Sequence, residues 1–468
     1  MSKLLKRQLL VLQLFWLLSC TIHAQKLYNI MDFGAVADSV HINTNEIQAA
    51  IDKCAGDGGG TVVVPSGTFF TGAIFIKQGV NLEIKTNGVI KGTTNLADYK
   101  LVQTRWEGEE RIWVSALVNI FDINGFRLTG KGCIDGSGDI WFSSRRGRNG
   151  GNGINNGQPI IPSHAGPLRK GNPGIGMKGG LPATSDSPAY ELKEIGLESY
   201  GRPRLIAIQN CSDIVVENLT FVNQSSWCLF VLYSTQVEIR DLIIRSEHYI
   251  PSSDGIDIDS SNGVKIVNVD IDVNDDCISI KSGKDEDGRR VNRPAENILI
   301  DSCIFRYGHG GVAMGSEMSG GIRNVVVSNS VMMADNWAPI RFKSQPSRGG
   351  IVENITYKNL KLDNTRQAFE FNMEWRMIPP LKAPSNPLPL VRNVKIINVS
   401  GNVESAGVIH GLENSPVENV IFENCNIRAK KGLLLENVTN LDLSGLKIWV
   451  ETGEPVIWKN VKSENKVN

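Results

Sequence analysis

From residue 211 onward one phrase recurs along the chain, a turn residue followed by alternating aliphatics: Ser212-Asp213-Ile214, Gln236-Val237, Gly263-Val264, Asn297-Ile298, Asn324-Val325, Asn354-Ile355, Asn393-Val394, Asn419-Val420 and Asn440-Leu441. Successive phrases lie roughly 21 to 39 residues apart, a period typical of solenoids, the longer gaps being rungs that carry loops. Within a rung the apolar positions alternate, as in Val264-Lys265-Ile266-Val267-Asn268-Val269, which is the period of a half-buried strand. Helical periodicity is nearly absent. A single rung buries little, so stability is expected from stacking neighbours into a continuous core. The pattern therefore predicts an all-β chain with one solenoid domain over residues 25–468.

The same regularity concentrates chemistry. Ser252-Ser253-Asp254-Gly255, Asn274-Asp275-Asp276-Cys277, Gly308-His309-Gly310 and Arg341-Phe342-Lys343 follow one another at rung-like spacings. Asp254 and Asp275 are 21 residues apart, which predicts neighbouring strands with one carboxylate above the other. In the Asp275 rung, Ile278 and Ile280 alternate with Ser279 and Lys281, so parity turns Asp275 and Lys281 outward. Asp276 falls on the other parity and needs a bulge or a strand start to be exposed. Stacking gives one patch with three carboxylates, an imidazole and two cations. Crowded carboxylates cannot all ionise cheaply, so one is pushed to keep its proton. Glycoside hydrolysis needs such a proton donor and a second carboxylate. Arg341 adds a flat fork that matches a carboxylate and Lys343 a point charge.

These four segments resemble, in order, the signature of the polygalacturonase-like glycoside hydrolases, family 28 of the pectin-lyase-like superfamily. Asp32-Phe33-Gly34-Ala35 and the run Gly58 to Gly67 resemble that superfamily's opening, which speaks to fold alone. The resemblance implies a right-handed parallel β-helix with a short N-terminal helix cap. It implies Asp275 as general acid, Asp254 and Asp276 as activators of water, inversion at the anomeric carbon, and His309 as the group adjusting the acid's charge state. It also implies galacturonate carboxylate binding by Arg341 and Lys343. Lys281-Ser282-Gly283, Gly315-Ser316-Glu317 and Arg105-Trp106-Glu107-Gly108 look like phrases of exo-acting members, making Lys281, Glu317 and Arg105 candidate substrate contacts. Asp257 shares a strand face with Asp259, either as a solvated ladder residue or as a substrate contact. Trp375 and Trp106 are candidates for stacking on sugars. Ser252-Ser253 and Ala338-Pro339-Ile340 depart from the family's phrases and leave homogalacturonan and rhamnogalacturonan both open as substrates.

Two other classes account for part of the pattern. A polysaccharide lyase on the same fold would explain Arg341 and Lys343 but not the carboxylates with His309. A non-catalytic carbohydrate-binding solenoid would explain the fold and not the acidic rung.

Composition narrows the setting. Basic and acidic residues balance at 49 each, which argues against nucleic acid as a partner. An acidic polymer must then be met by local cations such as Arg145, Arg146, Arg148, Arg169 and Lys170 in the long Gly- and Pro-rich interruption at about 141–200, or Arg289, Arg290 and Arg293. Lys3, Lys6 and Arg7 ahead of the apolar run Leu9 to Leu18 read as a signal peptide over residues 1–24, giving a periplasmic or extracellular protein. Leu17-Leu18-Ser19-Cys20 offers lipid anchoring through Cys20 as the alternative. No other stretch is long and apolar enough to span a membrane. The other seven cysteines show no Cys-x-x-Cys or Cys/His metal spacing, so neither a metal nor another cofactor is expected. Cys211, Cys303 and Cys425 share a rung phase and are expected as stacked buried thiols. A monomer is the expected state.

Overall fold

The computed structural model describes residues 26–141, 201–333, 336–375 and 382–462, with the short strands Ile154–Asn155 and Gln158–Pro159. Residues 1–24, with Cys20, and the basic residues between 145 and 170 lie outside the described residues. The chain is all-β and strand-dominated, and most of its strands pair in parallel along three ladders, two short antiparallel pairs standing apart.

All nine recurring phrases fall on the first ladder. Ile214, Val237 and Val264 are register partners in turn, and Ile298, Val325, Ile355, Val394, Val420 and Leu441 continue the column. Every member is at most 3% exposed, so the column forms one wall of the core. Burial of these aliphatic faces, stacked on like neighbours, is the main stabilising term.

The repeated asparagines have a separate physical cause. Asn297, Asn324, Asn354, Asn393 and Asn419 all have φ between 52° and 58°, a left-handed conformation that Asn tolerates better than other side chains. Their amides also form a ladder. Nδ2 of Asn324 donates to Oδ1 of Asn297 at 3.1 Å, Asn354 to Asn324 at 3.2 Å, and Asn393 to Asn354 at 3.1 Å.

The helix Thr44–Gly56 lies at the N-terminal end. It buries Ile47, Ala50, Ile51 and Cys54, an i, i+3, i+4, i+7 stripe turned to the core. Gly59 just beyond it has φ 106°, and a Cβ there would stand 2.6 Å from the Gly79 carbonyl oxygen. The glycine run after the helix thus reflects both backbone angle and close approach.

Cysteine placement corrects one expectation. All seven described cysteines are free thiols. Cys303 and Cys425 share a column but are separated by Ser330, Leu360 and Val399, whereas Cys211 sits on a different corner, its N–H bonded to Ser234. The thiols are buried one by one and not stacked. Similar turn phrases occur at two corners of each rung, and sequence phase alone does not separate them.

Candidate active site

The third ladder carries the chemistry. Strands Leu229–Leu232, Ile256–Asp259, Ile278–Lys281, Gly308–Met314, Asn336–Lys343 and the end of Ile351–Asn372 pair successively in parallel. Their inward column runs Leu229, Ile256, Ile278, Val312, Ile340, Phe369, all fully buried. Alternation turns the column Asp257, Ser279, Ala313, Arg341, Glu370 to the other face.

Ile256 pairs with Ile278, a step of 22 residues, so Asp254 aligns with Asp276 and not with Asp275. The Gly255 N–H donates to the Asp276 carbonyl at 3.0 Å, in keeping with that alignment. Asp275 and Asp276 both lie in the bend ahead of the strand, the strand start that parity required. There the alternation lapses and the two successive carboxylates reach the same patch. One oxygen from each of Asp254, Asp275 and Asp276 lies within 4.8 Å of the others. All three residues are at most 6% exposed.

His309 Nδ1 stands 3.3 Å from Asp275 Oδ1, and the His309 N–H donates to the Asp275 carbonyl at 3.1 Å. The flanking glycines are required by crowding. A Cβ on Gly310 would lie 2.6 Å from Asp276 Oδ1, and one on Gly308 would lie 2.7 Å from the Asp275 carbonyl oxygen. Lys343 Nζ meets Asp276 Oδ2 at 2.5 Å, and Arg341 NH1 donates to Asp276 Oδ1 at 3.2 Å and to the His309 carbonyl at 2.9 Å. On its other side Arg341 Nε approaches Glu370 Oε2 at 2.7 Å, an ion pair whose angle is too poor for a hydrogen bond. The Trp375 ring centre lies 4.7 Å from the Arg341 guanidinium and 5.7 Å from Lys343 Nζ.

This arrangement drives the carboxylates apart electrostatically. Burial first, then the charges of Asp257 and Asp275, push Asp254 well above the ordinary carboxylate range. Burial also acts to raise Asp276, but Lys343 and Arg341 outweigh it and hold that group below its usual value. His309 is opposed by burial yet raised by its hydrogen bond to Asp275 and by the charges of Asp275 and Asp276. The cluster thus favours the ionised form of Asp276 beside the cations and the protonated form of Asp254 on the side away from them.

A second buried network adjoins the first. Lys281 Nζ lies 3.2 Å from Glu317 and 3.6 Å from Asp257, with the Trp227 ring centre at 4.9 Å. Burial raises Asp257 to about 7 although Lys281 and Arg204 oppose it, while Lys281 and other cations overcome burial and lower Glu317 to about 2. Arg105 differs from the expectation of a substrate contact. It is 0% exposed, and its guanidinium donates to Asp259 at 2.6 Å, Ser260 at 2.8 Å and Tyr233 at 2.5 Å. It anchors its hairpin from within. Trp106 is likewise occupied, stacked on Trp113 at 4.7 Å and on Trp227 at 5.0 Å.

Sequence reasoning passed over Arg204, Trp227 and the pairing of Glu370 with Arg341. Glu370 is 29 residues beyond Arg341, and only the register reveals that they are partners.

Comparison with known proteins adds to this geometry. Residues 27–144 match the family model described as rhamnogalacturonase A/epimerase, pectate lyase-like. A probable polygalacturonase of Vitis vinifera is 25% identical over 430 residues, covering 88% of this chain and 77% of that protein. An exo-poly-alpha-D-galacturonosidase of Dickeya chrysanthemi is 27% identical over 349 residues, covering 72% of this chain and 55% of that protein. The solved exopolygalacturonase of Thermotoga maritima is similar with a TM-score of 0.71 and 28% identity, covering 94% of this chain and 91% of the other. Residues 193–445, more than half of the chain and all of the carboxylate cluster, match the model described as glycosyl hydrolases family 28, and the chain belongs to that family of glycoside hydrolases.

Proposed function

We propose that this chain is an exported hydrolase of galacturonic acid linkages in pectic polysaccharides or oligosaccharides, acting from chain ends with inversion. One observation carries the reading: a buried carboxylate trio lies together, with its member Asp276 in contact with Arg341 and Lys343. The similarity to relatives named as polygalacturonases and as an exo-galacturonosidase supports the substrate class. The fold proposed is a right-handed parallel β-helix over residues 25–468 with the helix Thr44–Gly56 as its cap. Parallel ladders joined by short crossovers favour that hand. Residues 1–24 are proposed as a cleaved signal, in preference to an anchor at Cys20.

In this mechanism Asp275 protonates the leaving glycosidic oxygen, Asp276 takes a proton from the attacking water, and Asp254, which burial and its acidic neighbours favour in the protonated form, helps to hold that water. His309, against Asp275, helps set that acid's charge state. The galacturonate carboxylate binds to Arg341 and Lys343, which already satisfy Asp276 and so hold the base and the sugar in one frame. Lys281 with Asp257 and Glu317, and Trp375 beside Arg341, border the patch.

Inversion rests on the family likeness. Inverting enzymes generally keep their two carboxyl groups about 6.5 to 9.5 Å apart, and here one oxygen from each member of the trio lies within 4.8 Å of the others. Following the first-formed anomer by NMR decides the point, and retention would replace inversion. End-on action is supported by the hairpin of Leu101–Trp106 and Glu109–Val114, pinned beside the Lys281 end of the patch by Arg105 with Asp259 and by the Lys284 N–H with the Gly108 carbonyl at 2.9 Å.

Product analysis over a panel of pectic polymers and oligosaccharides tests the whole reading. It should yield reducing ends without new ultraviolet absorbance, with monomer from the first minutes. An absorbing unsaturated product would make the chain a lyase. Early oligomers of mixed length with a fast fall in viscosity would show internal cutting.

A further inference from the structure

The strand that carries Arg341 and Lys343 has one exposed residue, Trp337, near its beginning. Trp337 is 39% exposed, and the strand's remaining residues are buried. Register places it between two residues of interest. Gly308 pairs with Asn336 and Gly310 with Ala338, so Trp337 stands beside His309. Ile340 pairs with Phe369, so on the following strand its partner position is Arg366. The Arg366 guanidinium lies 5.3 Å from the Trp337 ring centre. Adjacent strands are about 4.8 Å apart, and Asp275, His309, Trp337 and Arg366 follow on successive strands, so Trp337 lies one spacing from His309 and two from Asp275, with Arg366 one further on.

Both residues differ from most outward side chains around them, and the similar exposed pair Arg428 and Trp449 lies on strands away from the carboxylate cluster. Arg306, Arg323 and Arg392, outward on other strands, each meet a carboxylate within 2.8 Å. Arg366 is exposed and has no such partner among the described residues, its close neighbour being an aromatic ring. A partly exposed indole beside His309, with a guanidinium that meets no carboxylate among the described residues, combines an apolar platform with a carboxylate receptor.

We propose that Trp337 and Arg366 form a binding subsite for a second uronate residue, adjoining the catalytic cluster on the side of His309. The indole packs on the pyranose ring and the guanidinium pairs with that sugar's carboxylate. The proposal rests on the hydrolysis of galacturonate chains put forward above. It makes the acidic sugar, and not a neutral one, the favoured occupant of this position.

The test compares wild type with Trp337→Ala, Arg366→Gln and Arg366→Lys on tri-galacturonate, measuring KM, kcat and melting temperature. Both Trp337→Ala and Arg366→Gln should raise KM about tenfold while kcat stays within about twofold, as loss of a binding contact of this kind predicts. Arg366→Lys should recover part of the loss, and added salt should weaken wild-type binding more than that of Arg366→Gln. Melting temperatures should be unchanged, because both side chains lie at the surface. Wild-type KM in Trp337→Ala and Arg366→Gln, from an enzyme that turns over the trimer normally, would leave a surface cation–π pair and overturn the subsite alone. A wild-type chain inert on every galacturonate oligomer would remove the parent reading and the subsite together.

Discussion

The first and third ladders are built alike, yet their outward columns behave as different materials. On the first, Glu296, Arg323, Glu353, Arg392 and Glu418 alternate in charge along the stack. Arg323 pairs with Glu296 at 2.5 Å and Arg392 with Glu353 at 2.7 Å, with the arginine side chains 47% and 40% exposed. Water screens these pairs, and each is worth about 0–1 kcal/mol. On the third, Asp276, Arg341, Lys343 and Glu370 lie at similar separations but no more than 10% exposed. Removed from water, the same groups shift one another's proton affinities and leave Asp254 and Asp276 pushed in opposite directions. Desolvation turns an ordinary charge ladder into a chemical site.

The largest effect that can break this contrast is removal of a buried cation. Arg341→Ala should destabilise the chain by about 3–5 kcal/mol, because it strands Glu370 and leaves Asp276 with Lys343 alone, and should lower turnover on the order of a hundredfold. Denaturant unfolding and initial rates check both. Arg323→Ala, the matching change on the first ladder, should cost about 1 kcal/mol or less and leave turnover unchanged. Equal losses from the two variants would erase the distinction.

Gly310→Ala probes the crowding. Its Cβ would contact Asp276 Oδ1 at 2.6 Å and Arg341 Cδ at 3.1 Å, and neither group is free to give way. Rates should fall by about tenfold or more for a displacement of this size, with a stability loss of about 1–3 kcal/mol. A fully active variant would show that the cluster is looser than its contacts indicate.

The smallest expected effect concerns pH. Asp257 is raised to about 7 in the folded chain, against about 3.9 unfolded. The folded state therefore binds the extra proton, and stability contributed by this group is lost as pH rises through that interval. In Asp257→Asn the fall in melting temperature between pH 5 and pH 8 should be smaller than in wild type. An equal or steeper fall would mean that Asp257 is not held in the environment described.

How much of this was legible in the sequence follows from the same contrast. The first ladder was readable because its turns are nearly identical, and the nine phrases proved to be one column. The third ladder was readable only as an inventory. Its strands were recognised through Asp254, Asp275, Asp276, His309, Arg341 and Lys343, but register depends on loop lengths that vary from rung to rung. A one-residue difference, 22 in place of 21, moved Asp254 from Asp275 to Asp276. Burial was also beyond reach. Arg105 reads as a cleft arginine in its phrase and is enclosed because a hairpin folds back on Asp259. Trp337 gave no signal, since its meaning comes from Arg366 on the next strand.

The most direct measurement of the central claim is turnover and ligand binding in Asp275→Asn. The amide keeps the shape of the carboxyl group and its place beside His309, but it cannot donate the proton. The account predicts a loss of kcat on the order of a hundredfold or more, with the melting temperature and the affinity for tri-galacturonate close to wild type. Near-normal turnover in that variant would contradict it.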